Sequence, residues 1–311
     1  MTLKSGIFVI KSHEVGSRID KFVLNHCKSL NFFSVQKLLR TGQIRVDGHR
    51  AKGFLRLELG NKVRIPHFHV SNKKIINKAS SALSEKIINE QILYKDDDMM
   101  AINKPSGVSV QGGTKVINHI DGILDQLRFE LDFRPKLVHR IDKGTSGVLL
   151  LARTAQSARR LTLAFKNKEI KKNYLAIVCG KFPKKNGSIR IPLETVNKNL
   201  NEAKEAVTEY NILWKGNFKN NLISVVEFCP LTGRKHQLRA HSFYMGCPIL
   251  GDKKYKINNK NYENIKMFCY NMHLHAKEVG VPDLEGITIR IKAPIPSHML
   301  KIFQLINFKN F

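Results

Sequence analysis

Asp142 is the residue of this chain whose surroundings best suit chemistry. It lies in the stretch Leu137 to Thr154, LVHRIDKGTSGVLLLART, where Arg140 and Lys143 bring cations to either side of the acid and Thr145-Ser146-Gly147 turns into the apolar run Val148 to Leu151. Cations beside a carboxylate favour its ionised form, and a polar turn ahead of a buried strand aims it from a rigid support. An ionised, aimed acid is what a nucleophile or the stabiliser of a developing cation requires. An aspartate at such a turn can also do no more than cap it, so the rest of the chain must decide between the two.

The stretch His139 to Gly147, HRIDKGTSG, resembles the one that carries the catalytic aspartate of the ribosomal large-subunit pseudouridine synthases, which reads His-Arg-Leu-Asp-x-x-Thr-Ser-Gly before an apolar strand. Further segments are similar to that family's motifs, in its order. Asn103-Lys104-Pro105-Ser106-Gly107 matches the first motif, Lys172 to Ala176 with Gly180 the one that supplies a tyrosine, and Pro230 to His241 the one that supplies an arginine. Gly246 to Asp252, Leu274-His275-Ala276 and Ala293-Pro294 match the closing landmarks. The resemblance implies Asp142 as the catalytic acid, Tyr174 as the ring that stacks on a target uracil and takes or relays its C5 proton, and Arg239 as the partner that keeps the acid ionised. It also implies RNA contacts by Arg140, filling the space an extruded base leaves, and by Arg234 and Lys104. Two positions depart from the pattern: Gly144, where the family often has an acid or another polar residue, and Gln111, where His is frequent before Gly112-Gly113. Both lie beside the reacting set, so altered local flexibility without loss of activity is expected.

The elements that must hold these residues read as α+β. Residues 16–70 form a small module of their own: Ile19, Phe22, Val23 and Leu30 recur at helical spacing, a second helix runs from Ser34 as N-cap to a stop at Gly42, and Ile44 and Val46 lead into the hairpin signal Asp47-Gly48, with a further strand at Val63 and Ile65. Two short helices followed by strands resemble the S4 RNA-binding domain, which implies RNA contacts by Arg18, Lys37, Arg40, Arg45 and Arg50. Residues 71–88, rich in Lys, Ser and Asn, read as a linker, and 89–311 as the catalytic domain. There Thr154 caps a helix with Ala158, Leu161 and Phe165 on its inner face. Extended segments at Ala176–Val178, Val207–Leu213, Leu222–Phe228 and Ile287–Ile291 follow, the last pair without an intervening helix, which points to a mixed, largely antiparallel sheet.

The chain has 311 residues and a formal net charge of +28, the balance of a polyanion binder, although an Asn-, Ile- and Lys-rich composition contributes to the excess. Its five cysteines are scattered without a Cys-x-x-Cys pair, and His273-x-His275 reads as structural, so neither a disulfide framework nor a metal site is expected. No apolar run reaches the roughly 18 residues of a membrane span, and the first residues lack a signal-peptide pattern, so a cytoplasmic location is expected. The resemblance implies isomerisation of specific uridines in 23S ribosomal RNA by a monomer without metal or organic cofactor. The N-terminal module and the Gly112-Gly113 segment put the chain nearest subtype C, while subtype D and transfer-RNA members share the catalytic motifs. A non-catalytic RNA-binding or ribosome-assembly protein would account for the charge, and an RNA N-glycosidase would use a similar acid. Asp142 together with Tyr174 and Arg239 is what mere binding would not require.

Overall fold

The computed structural model describes residues 6–27, 30, 32–66, 78–113, 118–194, 203–256, 265, 267–283 and 285–309. They form two units, Met1–Ile75 and Ile76–Phe311, each with its own core.

The first unit contains β1 (Gly6–Val9), α1 (Ile19–His26), α2 (Phe32–Arg40), β2 (Arg45–Val46), β3 (His49–Arg50) and β4 (Lys62–Ile65), its strands in the order β1-β4-β2-β3. Ile19, Phe22 and Val23 of α1 meet Val35 and Leu39 of α2 over Val46, Val63 and Ile65 of the sheet. Asp47 and Gly48, at φ of 48° and 81°, make the left-handed two-residue turn that matches strand twist, as the sequence predicts. The second helix begins earlier than expected, so Ser34 lies within its first turn and does not precede it.

The second unit begins with α3 (Lys78–Glu90). The expected linker is therefore helical over 78–88, while its 71–77 lie outside the described residues; Ile87 explains the difference, since it is fully buried against Met100 and Ile102. Then come β5 (Ile92–Lys95), β6 (Met99–Lys104), α4 (Ile120–Ile123), β7 (Lys136–Leu137), β8 (Ser146–Ala152), α5 (Ala155–Lys166), β9 (Lys171–Cys179), β10 (Asn186–Arg190), β11 (Leu193–Glu194), β12 (Ala203–Lys204), β13 (Val207–Phe218), β14 (Asn221–Pro230), α6 (Gln237–Tyr244), β15 (Leu274–Pro282), β16 (Thr288–Lys292) and α7 (Ser297–Leu305). The main sheet runs β10-β13-β14-β9-β15-β8-β6-β5, with β16 beside β15 and β7 beside β8. The α+β class and the largely antiparallel sheet stand; among the described strands only β8 and β15 pair in parallel. The helix-free pair is β13 and β14, not the last two segments, because α6 and β15 separate β14 from β16.

Every residue of β8 is buried, and its side chains alternate between two covers. Val148, Leu150 and Ala152 pack with Leu161 and Ala164 of α5, while Leu149 and Leu151 pack with Ile87 and Ile123 of α3 and α4. Thr154 and Ser157 exchange N-cap hydrogen bonds at the start of α5, the capping box that fixes where the helix starts. In β9, Ala176 and Val178 join Leu238 of α6 and Met272, whereas Leu175 and Ile177 face Met299 and Phe303 of α7. Tyr174 thus shares a face with the first turn of α6.

Candidate active site

The centre of the sheet sets the site. In the register, Ala276 of β15 stands between Tyr174 of β9 and Gly147 of β8. A Cβ at Gly147, whose φ is +105°, would lie 2.2 Å from the Ala276 carbonyl oxygen, so only glycine lets the strand that follows Asp142 come this close. Ser146 Oγ meets Nδ1 of buried His275 at 2.9 Å across the same junction; burial pushes that imidazole down to about 4, so it is neutral.

The loop before β8 is stitched to the segment after β6. Lys104, expected on RNA, is fully buried, and its ammonium donates to the carbonyl oxygens of Pro105 (2.9 Å), Val108 (2.8 Å) and Lys143 (3.3 Å). All three ammonium donors are taken up inside the protein. Burial pulls its pKa down to about 7, against the opposing charge of Asp142. Lys104 therefore holds the Asp142 loop and does not face a ligand. Ser106 Oγ donates to the Gly144 carbonyl at 2.8 Å and Gly107 N–H to that of Lys143, also at 2.8 Å. Gly144, the departure from the family pattern, lies under Met272, whose Cε would be 3.1 Å from an added Cβ.

His139 fixes the other flank. Its Nε2 accepts the Leu150 N–H at 2.8 Å and its ring stacks on Phe165 of α5 at 4.4 Å. Burial, with the charge of Lys172, pushes its pKa to about 3, so it is a neutral Nδ1–H tautomer with no part in proton transfer at neutral pH. Its neighbour Arg140 is exposed.

Asp142 is one-quarter exposed and accepts from Nη1 of Arg239 at 3.0 Å. Arg239, on α6, turns its other edge to Asp252, with Nε to Oδ2 at 2.6 Å and Nη2 to Oδ1 at 2.9 Å. Such a bidentate fork sets the guanidinium plane. Asp252 is fully buried and also accepts the backbone N–H groups of Lys254 and Tyr255. Burial opposes the charge of both partners. Their hydrogen bonds more than offset it, so the Arg239 pKa lies above and the Asp252 pKa below the ordinary value. The Tyr255 ring covers the guanidinium at 5.3 Å. A Cβ at Gly251, φ +79°, would sit 2.0 Å from the Asn271 carbonyl oxygen, and that close turn delivers Asp252 to Arg239.

The turn before α6 is locked from below. Gln237 donates to the Val207 carbonyl and Thr208 Oγ1, each at 3.0 Å, and accepts from Thr232 and the Arg234 N–H. Arg234 is half-buried and donates through Nε to the Glu205 carbonyl at 3.0 Å, the bond of a residue that stabilises its motif. His236 caps the helix at a left-handed φ of 56° and stands 3.8 Å from Asp142. Burial lowers its pKa despite the carboxylate. Left-handed backbone in a non-glycine residue persists only where surroundings impose it. Burial, reinforced by the charge of Asp142, raises the Tyr174 pKa, so its hydroxyl stays protonated at neutral pH.

Asp142, Arg239 and Tyr174 are thus brought together as the sequence predicts, while Asp252, His236 and Tyr255 join them without any role that their sequence context suggests. Among the described residues, no group of three or more His, Cys, Asp and Glu is placed to hold a metal ion.

A family model described as RNA pseudouridylate synthase matches residues 98–242, the span that holds Asp142, Tyr174 and Arg239. The ribosomal large subunit pseudouridine synthase C of Buchnera aphidicola subsp. Baizongia pistaciae is 40% identical over 277 residues, covering 85% of each chain. The chain belongs to the RNA pseudouridylate synthase family. The synthase C of Rickettsia bellii is 36% identical over 305 residues, 93% of this chain and 97% of that protein. The solved structure of Human RNA Pseudouridylate Synthase Domain Containing 4 superposes with a TM-score of 0.62 at 28% identity, over 73% of this chain and 96% of that one.

Tyr174→Phe keeps the ring and removes the hydroxyl. Single-turnover isomerisation is expected to slow by about 10²- to 10⁴-fold, the usual contribution of a proton-transferring group, with RNA affinity kept. A rate equal to wild type would confine Tyr174 to stacking.

Proposed function

We propose that this protein isomerises specific uridines to pseudouridine in 23S ribosomal RNA. The names of the two bacterial relatives support the substrate class, and the ion pair between Asp142 and Arg239 is the observation that carries the chemistry. Pseudouridine formation breaks the bond from uracil N1 to ribose C1′, turns the base and joins C5 to C1′. Nothing is oxidised and no energy source is consumed, so a carboxylate suffices. Asp142 either attacks C1′ or removes the 2′ proton, and Arg239, paired with it at 3.0 Å, aims it for both. The target nucleotide must leave its stack, at a cost of roughly a few kcal/mol, and in this reading Arg140, which is exposed, occupies the gap. Tyr174, being protonated, relays the C5 proton by hydrogen bonding and does not act as a phenolate base.

The first unit serves in this reading as an S4-type RNA-binding module, and the protein works as a cytoplasmic monomer. Lys37, Arg40, Arg45 and Arg50 are exposed there, whereas Arg18 commits its guanidinium to buried Asp20 at 2.6 Å. Because α3 belongs to the second unit, removing residues 1–75 is expected to leave a chemically competent domain. The log-affinity against log-salt slope should become shallower by about 0.7 to 0.9 for each phosphate that the truncated chain no longer neutralises. Identical slopes would remove these residues from the RNA interface.

Incubation with C5-tritiated 23S rRNA tests the activity. Isomerisation releases tritium to water, N-glycosidase action would yield free uracil, and binding alone would do neither.

A further inference from the structure

A second basic surface lies outside the site. Lys136, Ala155, Ala158, Arg159, Thr162, Leu163 and Lys166 line a groove of about 450 Å³ along the outer side of α5. Lys136, Arg159 and Lys166 are exposed, and no acid is among the lining residues. None of the three makes an ion pair among the described residues; Lys136 instead lies 5.0 Å from the Phe133 ring centre. Arg159 and Lys166 are two helical turns apart on one face, about 10.5 Å along the axis. That is a distance a nucleic-acid strand covers in a few nucleotides. Half-exposed Leu163 and the two alanines give the groove an apolar floor on which ribose can rest.

The C-terminal end of the helix that bears the groove meets the segment ahead of the catalytic loop. Phe165, one residue before Lys166, stacks on His139, and His139 adjoins Arg140 and the Asp142 turn. Lys168 and Lys172 extend the positive field at that end, where burial and then the charge of Lys168 lower the Lys172 pKa. Arg160, the neighbouring cation on α5, pairs with Asp98 and is not part of the groove.

We infer that the α5 groove holds the phosphodiester backbone of the RNA strand that flanks the target nucleotide as it leaves the catalytic loop past Arg140. This rests on the reading of the protein as an RNA pseudouridine synthase and adds a second contact surface within the catalytic unit. Unpaired cations with no acid among them suit a polyanion, and each phosphate neutralised releases counterions.

The test uses the full chain and a C5-tritiated 23S rRNA transcript. Lys136→Ala, Arg159→Ala and Lys166→Ala are combined, and Lys181→Ala, Lys184→Ala and Lys185→Ala, all exposed, remove the same charge elsewhere. The groove variant is expected to bind about tenfold more weakly near 0.1 M salt, with a salt slope shallower by about 2 for three phosphates at about 0.7 each. Its deficit in tritium release should close as RNA is raised to saturation. Swapping the three for the opposite cation, Lys136→Arg, Arg159→Lys and Lys166→Arg, should restore the slope. Unchanged affinity and slope in the groove variant, or an equal loss in the control, overturns the inference. Failure of the wild type to release tritium would overturn the enzymatic reading instead, and the binding comparison would still report on the groove.

Discussion

Asp142→Asn is expected to abolish isomerisation, with the single-turnover rate on C5-tritiated rRNA falling at least about 10⁴-fold, while RNA affinity stays within a fewfold. The amide has the shape of the acid but can neither attack C1′ nor take a proton. Folding should survive, because Arg239 keeps its bidentate partner Asp252 when the charge of Asp142 is removed. That retention makes the experiment decisive: a folded, RNA-binding, inactive variant assigns the chemistry to Asp142, and tritium release near the wild-type rate would end that assignment. The one-quarter exposure of Asp142, against full burial of Asp252, supplies the physical contrast between the two carboxylates on Arg239. The exposed one can reach a substrate, and the buried one is a support.

The contrast also marks what the sequence could show. Asp142, Tyr174 and Arg239 are legible because local pattern and family resemblance both point to them, and the fold needs only to bring them together. Lys104 is not an RNA contact, and the sequence hides this because a lysine at the end of a strand carries no sign of burial; the carbonyls of Pro105, Val108 and Lys143 that satisfy it turn inward only once β6 and β8 pair. Asp252 lies in a recognised segment but has no visible partner there, since Gly251 must take its left-handed turn against Asn271 before the carboxylate reaches α6. His236 and Tyr255 are hidden for the same reason: they act through contacts with α6 and with each other, at 5.8 Å between ring centres, and not through any spacing in the chain. The parallel contact of β8 with β15 is likewise unreadable, because the two strands are more than a hundred residues apart and their pairing is only His275 with Ser146 and Ala276 with Gly147. Residues 71–88 look like linker because Ser, Lys and Asn outnumber the apolar residues, yet over 78–88 the burial of Ile87, with Leu83 and Ile88 packed beside it, orders the helix.

Asp252→Asn is the second change expected to be large, and it acts without touching substrate. The asparagine oxygen can still accept the N–H groups of Lys254 and Tyr255 together with Nη2 of Arg239, all of which use Oδ1. Its NH₂, however, faces the Nε–H of Arg239 where Oδ2 accepted at 2.6 Å, so two donors oppose each other. The guanidinium, only 11% exposed, loses its buried counter-charge and the second tooth of its fork. Removing one partner of a buried pair costs about 3–5 kcal/mol where the other charge is left uncompensated, and here Asp142, one-quarter exposed, still offsets part of that cost. Part of that should be relieved by Arg239 moving toward Asp142, which displaces the catalytic carboxylate from its aim. A displacement of about 1 Å at a reacting group costs about 100-fold in rate. Asp252→Asn should therefore unfold at lower urea and isomerise about 100-fold more slowly, with RNA affinity near wild type. Arg239→Lys supplies the comparison: an ammonium keeps the charge but cannot span both carboxylates as a planar fork, so it should lose rate to a similar degree. A rate for Asp252→Asn within twofold of wild type would show that Asp142 alone holds Arg239, and the buried carboxylate would then serve only the turn at Lys254 and Tyr255.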